Sequence, residues 1–204
     1  MNKVTINQLK DALSRKDAPI FKGELNLTLV GIRSKDSDAN TFNDLLCVLY
    51  EKNGKAQLDQ FPITTDPGLY YREHPINVAG TAILKPGHYK GCWQIGAHQG
   101  KYLALVQRGL MTVYRDRNKD AHLDKANEQT GYFGINLHRA GANGHTLRTD
   151  KVSAGCQVFA NSEDFDTFMT LAQRAAAKQG NSFSYTLLDE ADLCVAIKEE
   201  PAHA

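Results

Sequence analysis

The feature that most constrains the fold is a succession of short apolar runs separated by turn residues. Leu45–Tyr50 and Ala56–Thr64 flank Lys52-Asn53-Gly54-Lys55, and an Asn-Gly pair between two such runs is typical of a two-residue β-hairpin turn. Further strand-like runs are Leu25–Val30, Tyr102–Gln107, Met111–Tyr114, Phe183–Leu188 and Leu193–Lys198, with a tight turn predicted at Gly109. The pattern therefore predicts a mainly β fold.

Two segments predict helices. Thr5 and Gln8 have the spacing of a capping box, which indicates a short amphipathic helix over residues 6–16. A longer helix is predicted after Cys156, with Asn161 or Ser162 as its cap and Gly180 at its end. We expect a helical extension over residues 1–22 and one compact, mainly β domain over residues 23–200.

Charge and hydropathy exclude two classes of partner. The 204 residues carry 24 basic and 23 acidic side chains, for a formal net charge of +1. No basic stripe stands out, so nothing favours binding to the phosphates of a nucleic acid. No apolar run reaches the roughly 18 residues of a membrane span, and residues 1–10 lack the apolar core of a signal peptide. We expect a protein that is made soluble, has no membrane partner and is not exported by the ordinary route.

The four cysteines do not follow a metal or disulfide pattern. There is no Cys-x-x-Cys and no close Cys/His pair, so neither a structural zinc site nor a disulfide scaffold is expected. Cys47 and Cys194 lie in apolar runs, which predicts buried free thiols. Cys156 differs because small residues surround it, including Ser153 and Gly155.

One histidine and one cysteine form the candidate catalytic pair. His138 ends the apolar run that begins at Gly134, and a polar loop over residues 139–151 separates it from Ser153-Ala154-Gly155-Cys156. A catalytic thiol needs a base and backbone N–H groups directed at the developing oxyanion. We predict Cys156 as the nucleophile and His138 as the base, with Gly155 permitting the turn.

This segment resembles the active-site signature of the L,D-transpeptidase catalytic domain (YkuD-type), in which a histidine precedes Ser/Thr-x-Gly-Cys. Here these elements are His138 and Ser153-Ala154-Gly155-Cys156. Upstream, Phe61–Thr65 occupies the place of a family strand and turn, and the stretch from Gly80 to Tyr89 resembles the family's Thr-Pro-x-Gly-x-Phe element. The resemblance covers roughly residues 45–160.

The resemblance implies a β-sandwich-like fold and a thioacyl intermediate with a peptidoglycan stem peptide. Cys156 would attack the carbonyl between an L-centre and D-alanine, and His138 would take its proton and later protonate the leaving amine. The Gly155 and Cys156 N–H groups would form the oxyanion hole, and Ser153 would orient the loop or His138. An amine acceptor gives cross-linking, whereas water gives carboxypeptidase or endopeptidase activity. No cofactor is required.

The chain departs from the family where the substrate is bound. Arg139 stands where the family usually has glycine, Ala154 where it often has histidine, and Val158 where arginine is common. Loop side chains are the candidates for a replacement carboxylate contact. The predicted substrate-binding residues are Arg139, His145, Arg148 and, lining the cleft, Tyr132.

A second motif imitates the start of a calcium loop. Asp116, Asn118 and Asp120 place oxygen ligands at alternate positions. Ala121 replaces the glycine expected at the sixth position, and Asn127 stands where a bidentate carboxylate is expected, with Glu128 one place later. The sequence leaves two interpretations open, a polar hairpin tip or a structural Ca²⁺ site.

The favoured function is a cysteine enzyme acting on peptidoglycan stem peptides. Because residues 1–10 lack a signal sequence, we expect a lytic or delivered protein, associated with a phage or secretion system, that hydrolyses stem peptides at the cell wall or periplasm. A papain-like amidase of the NlpC type is disfavoured, since it places its cysteine before its histidine. The remaining alternative is a wall-binding or structural β-domain in which Cys156 is inert.

Overall fold

The computed structural model describes residues 1–35, 40–120 and 122–194. The strands, in chain order, are β1 (Thr28–Arg33), β2 (Asp44–Lys52), β3 (Lys55–Thr64), β4 (Thr81–Leu84), β5 (Gly87–His98), β6 (Tyr102–Gln107), β7 (Met111–Asp116), β8 (Gln129–Gly131), β9 (Leu137–Arg139), β10 (Gln157–Phe159) and β11 (Phe183–Asp189). The helices are α1 (Ile6–Arg15), α2 (Leu69–Glu73) and α3 (Ser162–Gln179), followed by a 3-10 helix over Glu190–Leu193. The predicted mainly β fold is confirmed.

Eight strands close into a barrel, and three form a separate sheet. The barrel order is β1-β11-β5-β6-β9-β10-β3-β2, and the small sheet is β4-β7-β8. Most neighbours are antiparallel, but β1 pairs with β11 and β9 pairs with β10 in parallel. The structure thus has a closed barrel, which leaves no free sheet edge, where the resemblance implied a sandwich.

The Asn-Gly hairpin is confirmed, whereas Gly109 does not join paired strands. β2 and β3 pair along their whole length up to Lys52 and Lys55, with positive φ angles at Asn53 and Gly54 as the turn requires. At Gly109 the chain leaves the barrel instead, because β6 pairs with β5 and β9 while β7 pairs with β4 and β8. This departure places the small sheet beside the barrel.

The N-terminal helix packs on the outer face of the barrel. Its capping box between Thr5 and Gln8 is present as predicted. Leu9 and Leu13 pack with Val30 and Cys47 in a second apolar core, because alternate residues of β1 and β2 point outwards. The extension over residues 1–22 therefore covers strands that would otherwise expose apolar side chains.

The helix after Cys156 packs against the main core. α3 begins behind Asn161, whose side chain accepts a hydrogen bond from the Glu163 N–H, and Gly180 follows its end, as predicted. Phe165 and Phe168 contact the Phe159 ring, with ring centroids 5.5 and 5.4 Å apart. α3 thereby supports β10, the strand that begins directly after Cys156.

Two predictions near the C-terminus need correction. Leu193 lies in the 3-10 helix and not in a strand, and the rest of the predicted strand, like the tail after it, falls outside the described residues. Cys47 is buried as expected, but Cys194, which follows the 3-10 helix, is exposed.

None of the helices in the described ranges is long and apolar enough to cross a membrane.

Candidate active site

Two short parallel strands bring the predicted nucleophile and base to neighbouring positions. In the ladder between β9 and β10, His138 is opposite Val158, and Cys156 comes two residues before Val158. An offset of two residues on adjacent strands corresponds to roughly 8 Å between Cα atoms, with both side chains on one face. No hydrogen bond joins the Cys156 thiol to the His138 ring within the described chain, so the pair is adjacent but not engaged.

The His138 ring is held in one tautomer. Its Nδ1 lies 2.9 Å from the carbonyl oxygen of Arg139, and because a carbonyl only accepts, Nδ1 carries the proton in the neutral ring. Nε2 is then left with a lone pair. Burial, and to a lesser degree His98, lowers the pKa of His138 to about 4. His138 is therefore a neutral base near pH 7.

His98 and Asn136 complete this cluster and were not predicted. The His98 and His138 rings stack with centroids 4.3 Å apart. The Asn136 amide donates to His98 Nδ1 at 3.1 Å while its oxygen accepts from the Gln107 N–H at 2.8 Å. Nothing in the sequence distinguished His98 from any histidine at a strand end, because its partners come from distant strands.

The Cys156 thiol is protonated at rest. It accepts a hydrogen bond from the Asn136 N–H at 3.4 Å and donates to the Gly134 carbonyl at 3.3 Å. Burial raises its pKa to about 11, although the Asn136 N–H lowers it. The residue as a whole is partly exposed, although its sulfur lies against Asn136 and Gly134.

Two hydrogen bonds of Ser153 and a close contact with Ala82 fix the turn before Cys156. Ser153 donates through Oγ to the Cys156 carbonyl at 3.0 Å and accepts from the Gly155 N–H at 3.2 Å. Gly155 has φ +117°, and a Cβ there would lie 2.3 Å from the Ala82 carbonyl oxygen, so only glycine fits. Ser153 thus occupies the Gly155 N–H, whereas the Cys156 N–H has no hydrogen-bond acceptor within the described residues.

A buried polar network supports β10 from inside the barrel. Tyr185 donates to the Gln157 side chain at 2.7 Å, and Gln157 contacts the Thr65 carbonyl at 3.5 Å. The Thr65 carbonyl and hydroxyl also accept from the Arg33 guanidinium. Arg33 Nε lies 2.9 Å from Asp66 Oδ1. Gln157, the residue after Cys156, is thus connected through Thr65 to the buried Arg33 guanidinium.

A cavity of about 280 Å³ opens beside the turn. Its wall is shared between α2, the small sheet and the Ser153–Cys156 turn. Lining residues include Tyr71, Asn77, Thr81, Arg115, Tyr132 and Ala154. The cavity therefore borders the turn at Ala154, two residues before Cys156, and is large enough for an amino-acid residue of a peptide.

Of the four predicted substrate-binding residues, Tyr132 lines this cavity and is 68% exposed. Arg139 instead stacks on the Tyr102 ring, with its guanidinium carbon 4.5 Å from the centroid, and lies 3.9 Å from Asp166. His145 and Arg148 are exposed on the loop and do not line the cavity. Arg115 is the cavity cation, and its place on a distant strand gave no sequence signal.

The predicted calcium loop is, in its described residues, a polar segment between β7 and β8 that local hydrogen bonds hold. Asn118 donates to Asp120 at 2.9 Å, and the His122 N–H donates to Asp120 at 2.7 Å. Asp116 is only 1% exposed, and neither of its carboxylate oxygens has a well-aligned hydrogen bond, although the Asp124 and Asn118 N–H groups face it and lower its pKa against the larger effect of burial. No group of three His, Cys, Asp or Glu side chains in the described ranges is arranged to hold a metal ion.

No protein-family model matches this chain, and no curated protein is significantly similar to it.

Proposed function

We propose that the protein is a cysteine acyltransferase or peptidase that acts on peptidoglycan stem peptides through a thioacyl intermediate. The observation that carries the proposal is the His138 ring, which a backbone carbonyl holds in the tautomer with a free Nε2, one strand away from a partly exposed cysteine. The Ser-Ala-Gly-Cys turn and the adjacent cavity provide the nucleophile with a place for a substrate.

The resting groups are a neutral thiol and a neutral imidazole. The thiol leaves the Gly134 carbonyl and turns towards His138, which takes the proton as sulfur attacks the peptide carbonyl. The imidazolium then gives that proton to the leaving amine, and the peptide C–N bond breaks. Water or an amine resolves the thioester and restores the thiol.

The oxyanion is assigned to the Cys156 N–H, because the Ser153 hydroxyl engages the Gly155 N–H. In this assignment Ser153 and Gly155 shape the turn. A backbone N–H held in a rigid turn stabilises a developing negative charge without reorganisation.

We further propose that the chain is a divergent relative of the L,D-transpeptidase catalytic domain, and that it favours hydrolysis as a lytic or delivered protein at the cell wall. The support is the His138 and Ser153–Cys156 signature together with a mainly β fold. The closed barrel and the altered positions Arg139, Ala154 and Val158 would mark its divergence.

The second candidate is a non-enzymatic wall-binding or structural domain. The observation that favours it is the raised pKa of the Cys156 thiol, about 11, together with its hydrogen bond to Gly134 rather than to His138. In that case the buried histidine pair would serve only to fill the barrel.

A defined stem tetrapeptide separates the two candidates. Incubation with the purified protein is expected to release the terminal D-alanine or, with an added amine acceptor, to form a cross-linked product. Mass spectrometry of the peptides detects either outcome, and intact-protein mass spectrometry detects the acylated Cys156. Unchanged peptides and an unmodified protein would reject the enzymatic proposal and leave the binding domain.

A structural calcium ion at the Asp116 loop is a separate hypothesis, supported by the buried Asp116 carboxylate. If Asp116, Asn118 and Asp120 bind Ca²⁺, millimolar calcium should raise the thermal midpoint by several degrees relative to EDTA, and Asp116→Asn should remove the rise. Differential scanning calorimetry measures both, with Mg²⁺ as the control ion. Identical midpoints in calcium and EDTA would establish the hairpin-tip interpretation.

A further inference from the structure

Arg115 has an unusual environment for a buried cation. It lies in β7 and is 7% exposed. Its Nε donates to the Gln129 side chain at 2.8 Å and its Nη1 to the Gly80 carbonyl at 3.1 Å, both neutral acceptors. No carboxylate forms an ion pair with it in the described part of the chain, and burial alone lowers its pKa.

The guanidinium carbon lies 4.9 Å from the centroid of the Phe133 ring, which stabilises the cation in part. With no carboxylate partner among the described residues, an anion would complete the environment of this charge. Asp116 follows Arg115 in the strand, but adjacent strand residues point to opposite faces. Nη2 of Arg115 has no hydrogen-bond partner among the described residues. The guanidinium therefore has capacity for one more acceptor, and it lines the cavity beside the nucleophile.

Backbone contacts through Ala82 link Arg115 to the Ser153–Cys156 turn. Arg115 pairs with Ala82 in the ladder between β7 and β4. The Ala82 carbonyl is the group that packs against Gly155, and Ala154 lines the same cavity as Arg115. Two backbone contacts therefore link the strand that carries Arg115 to the turn that ends at Cys156.

We infer that Arg115 binds a carboxylate of the peptide that acylates Cys156, namely the terminal carboxylate of the amino acid that leaves. The rest of the cavity wall carries no charge in the described structure, including Tyr71, Asn77, Thr81 and Tyr132, which suits a single carboxylate on a small residue. This inference rests on the proposed function for the identity of the ligand, whereas the anion site itself rests on the geometry. In this assignment Arg115 takes the carboxylate-binding role that the sequence predicted for Arg139, His145 or Arg148.

Alkylation of Cys156 tests the anion site without any peptide. In a Cys194→Ser background, intact-protein mass spectrometry gives the rates for iodoacetate and for neutral iodoacetamide. Arg115→Gln is expected to slow iodoacetate by about threefold or more while leaving iodoacetamide within about twofold, because a cation in the cavity that borders the Ser153–Cys156 turn attracts the anionic reagent. Arg115→Lys keeps the charge and should retain most of the iodoacetate rate.

The control is Arg174→Gln, which removes the same charge from an exposed residue of α3 outside the cavity and should alter neither rate. If Arg115→Gln does not fold, the wild-type protein supplies the test, since 0.5 M salt should slow iodoacetate selectively. An unchanged ratio of the two rates in Arg115→Gln, or in wild type at high salt, overturns the anion site.

A stem tetrapeptide and its C-terminal amide then test the assignment of the carboxylate. Wild type should show a KM about tenfold or more lower for the acid, and Arg115→Gln should lose this preference. Equal KM values for the two peptides overturn the assignment while the proposed function stands. If neither peptide reacts but the alkylation ratio depends on Arg115, the function fails and the anion site stands.

Discussion

Cys156→Ala is expected to reduce turnover of a stem peptide by at least about 10³-fold, because the bond-forming sulfur is lost. His138→Gln should cost about 10²- to 10⁴-fold. The double variant should be no worse than Cys156→Ala, since base and nucleophile act as one unit. Cys194→Ser, which removes the exposed thiol, is the matched control and should retain full activity. Wild-type turnover in Cys156→Ala would contradict the assigned nucleophile.

The pH dependence of kcat/KM provides a second readout of the pair. With a His138 pKa of about 4 and a Cys156 pKa of about 11, the active form is a neutral base beside a protonated thiol. Between these two values kcat/KM should stay level. It should fall as the pH drops through about 4, where His138 takes up a proton. A decline centred near 6.5, the value of an unperturbed histidine, would contradict the buried, neutral ring.

Arg33→Met is expected to lower the free energy of unfolding by about 3–5 kcal/mol at pH 8. Arg33 is buried inside the barrel, where its guanidinium donates to Thr65 and Leu84 and lies beside Asp66. Asp44 is buried in the same cluster and accepts hydrogen bonds from Ser34 and Thr65. Removal of the cation leaves these carboxylates uncompensated in the interior.

The loss of unfolding free energy caused by Arg33→Met should be larger at high pH than at low pH. Burial and then Asp66 raise the pKa of Asp44 from 3.8 to about 7. A raised carboxyl pKa contributes stability below pH 4 that is lost as the pH rises through about 7. Without Arg33 the ionised Asp44 carboxylate is still less stable in the folded protein. The loss of unfolding free energy caused by Arg33→Met should therefore be smaller at pH 5.5, where Asp44 is largely protonated, than at pH 8.

Urea denaturation at both pH values measures this difference. Arg33→Met/Asp44→Asn is the matched variant and should recover part of the loss at pH 8, because it removes one unpaired charge. An equal loss at the two pH values, with no recovery in the double variant, would mean that packing and not charge explains the role of Arg33.

Local sequence signals predicted local structure well. The Asn53-Gly54 turn and the caps of α1 and α3 were identified because each depends on residues within a few positions of one another. The pairing of strands was harder to predict from the sequence. Met111–Tyr114 reads as the partner of Tyr102–Gln107 across Gly109, yet the two strands belong to different sheets, since pairing depends on contacts with strands far away in the chain.

In the candidate site, too, local features were predictable from the sequence and contacts between distant strands were not. By itself the sequence determined which turn and which histidine are candidates, Ser153–Cys156 and His138, because residue type and order specify a possible nucleophile and base. Only the tertiary structure decided that His98 stacks on His138, that burial raises the pKa of the Cys156 thiol above its ordinary value, and that Arg115 rather than Arg139 or Arg148 lines the cavity. Burial and the approach of distant strands set these properties, and neither is encoded in the spacing of neighbouring residues.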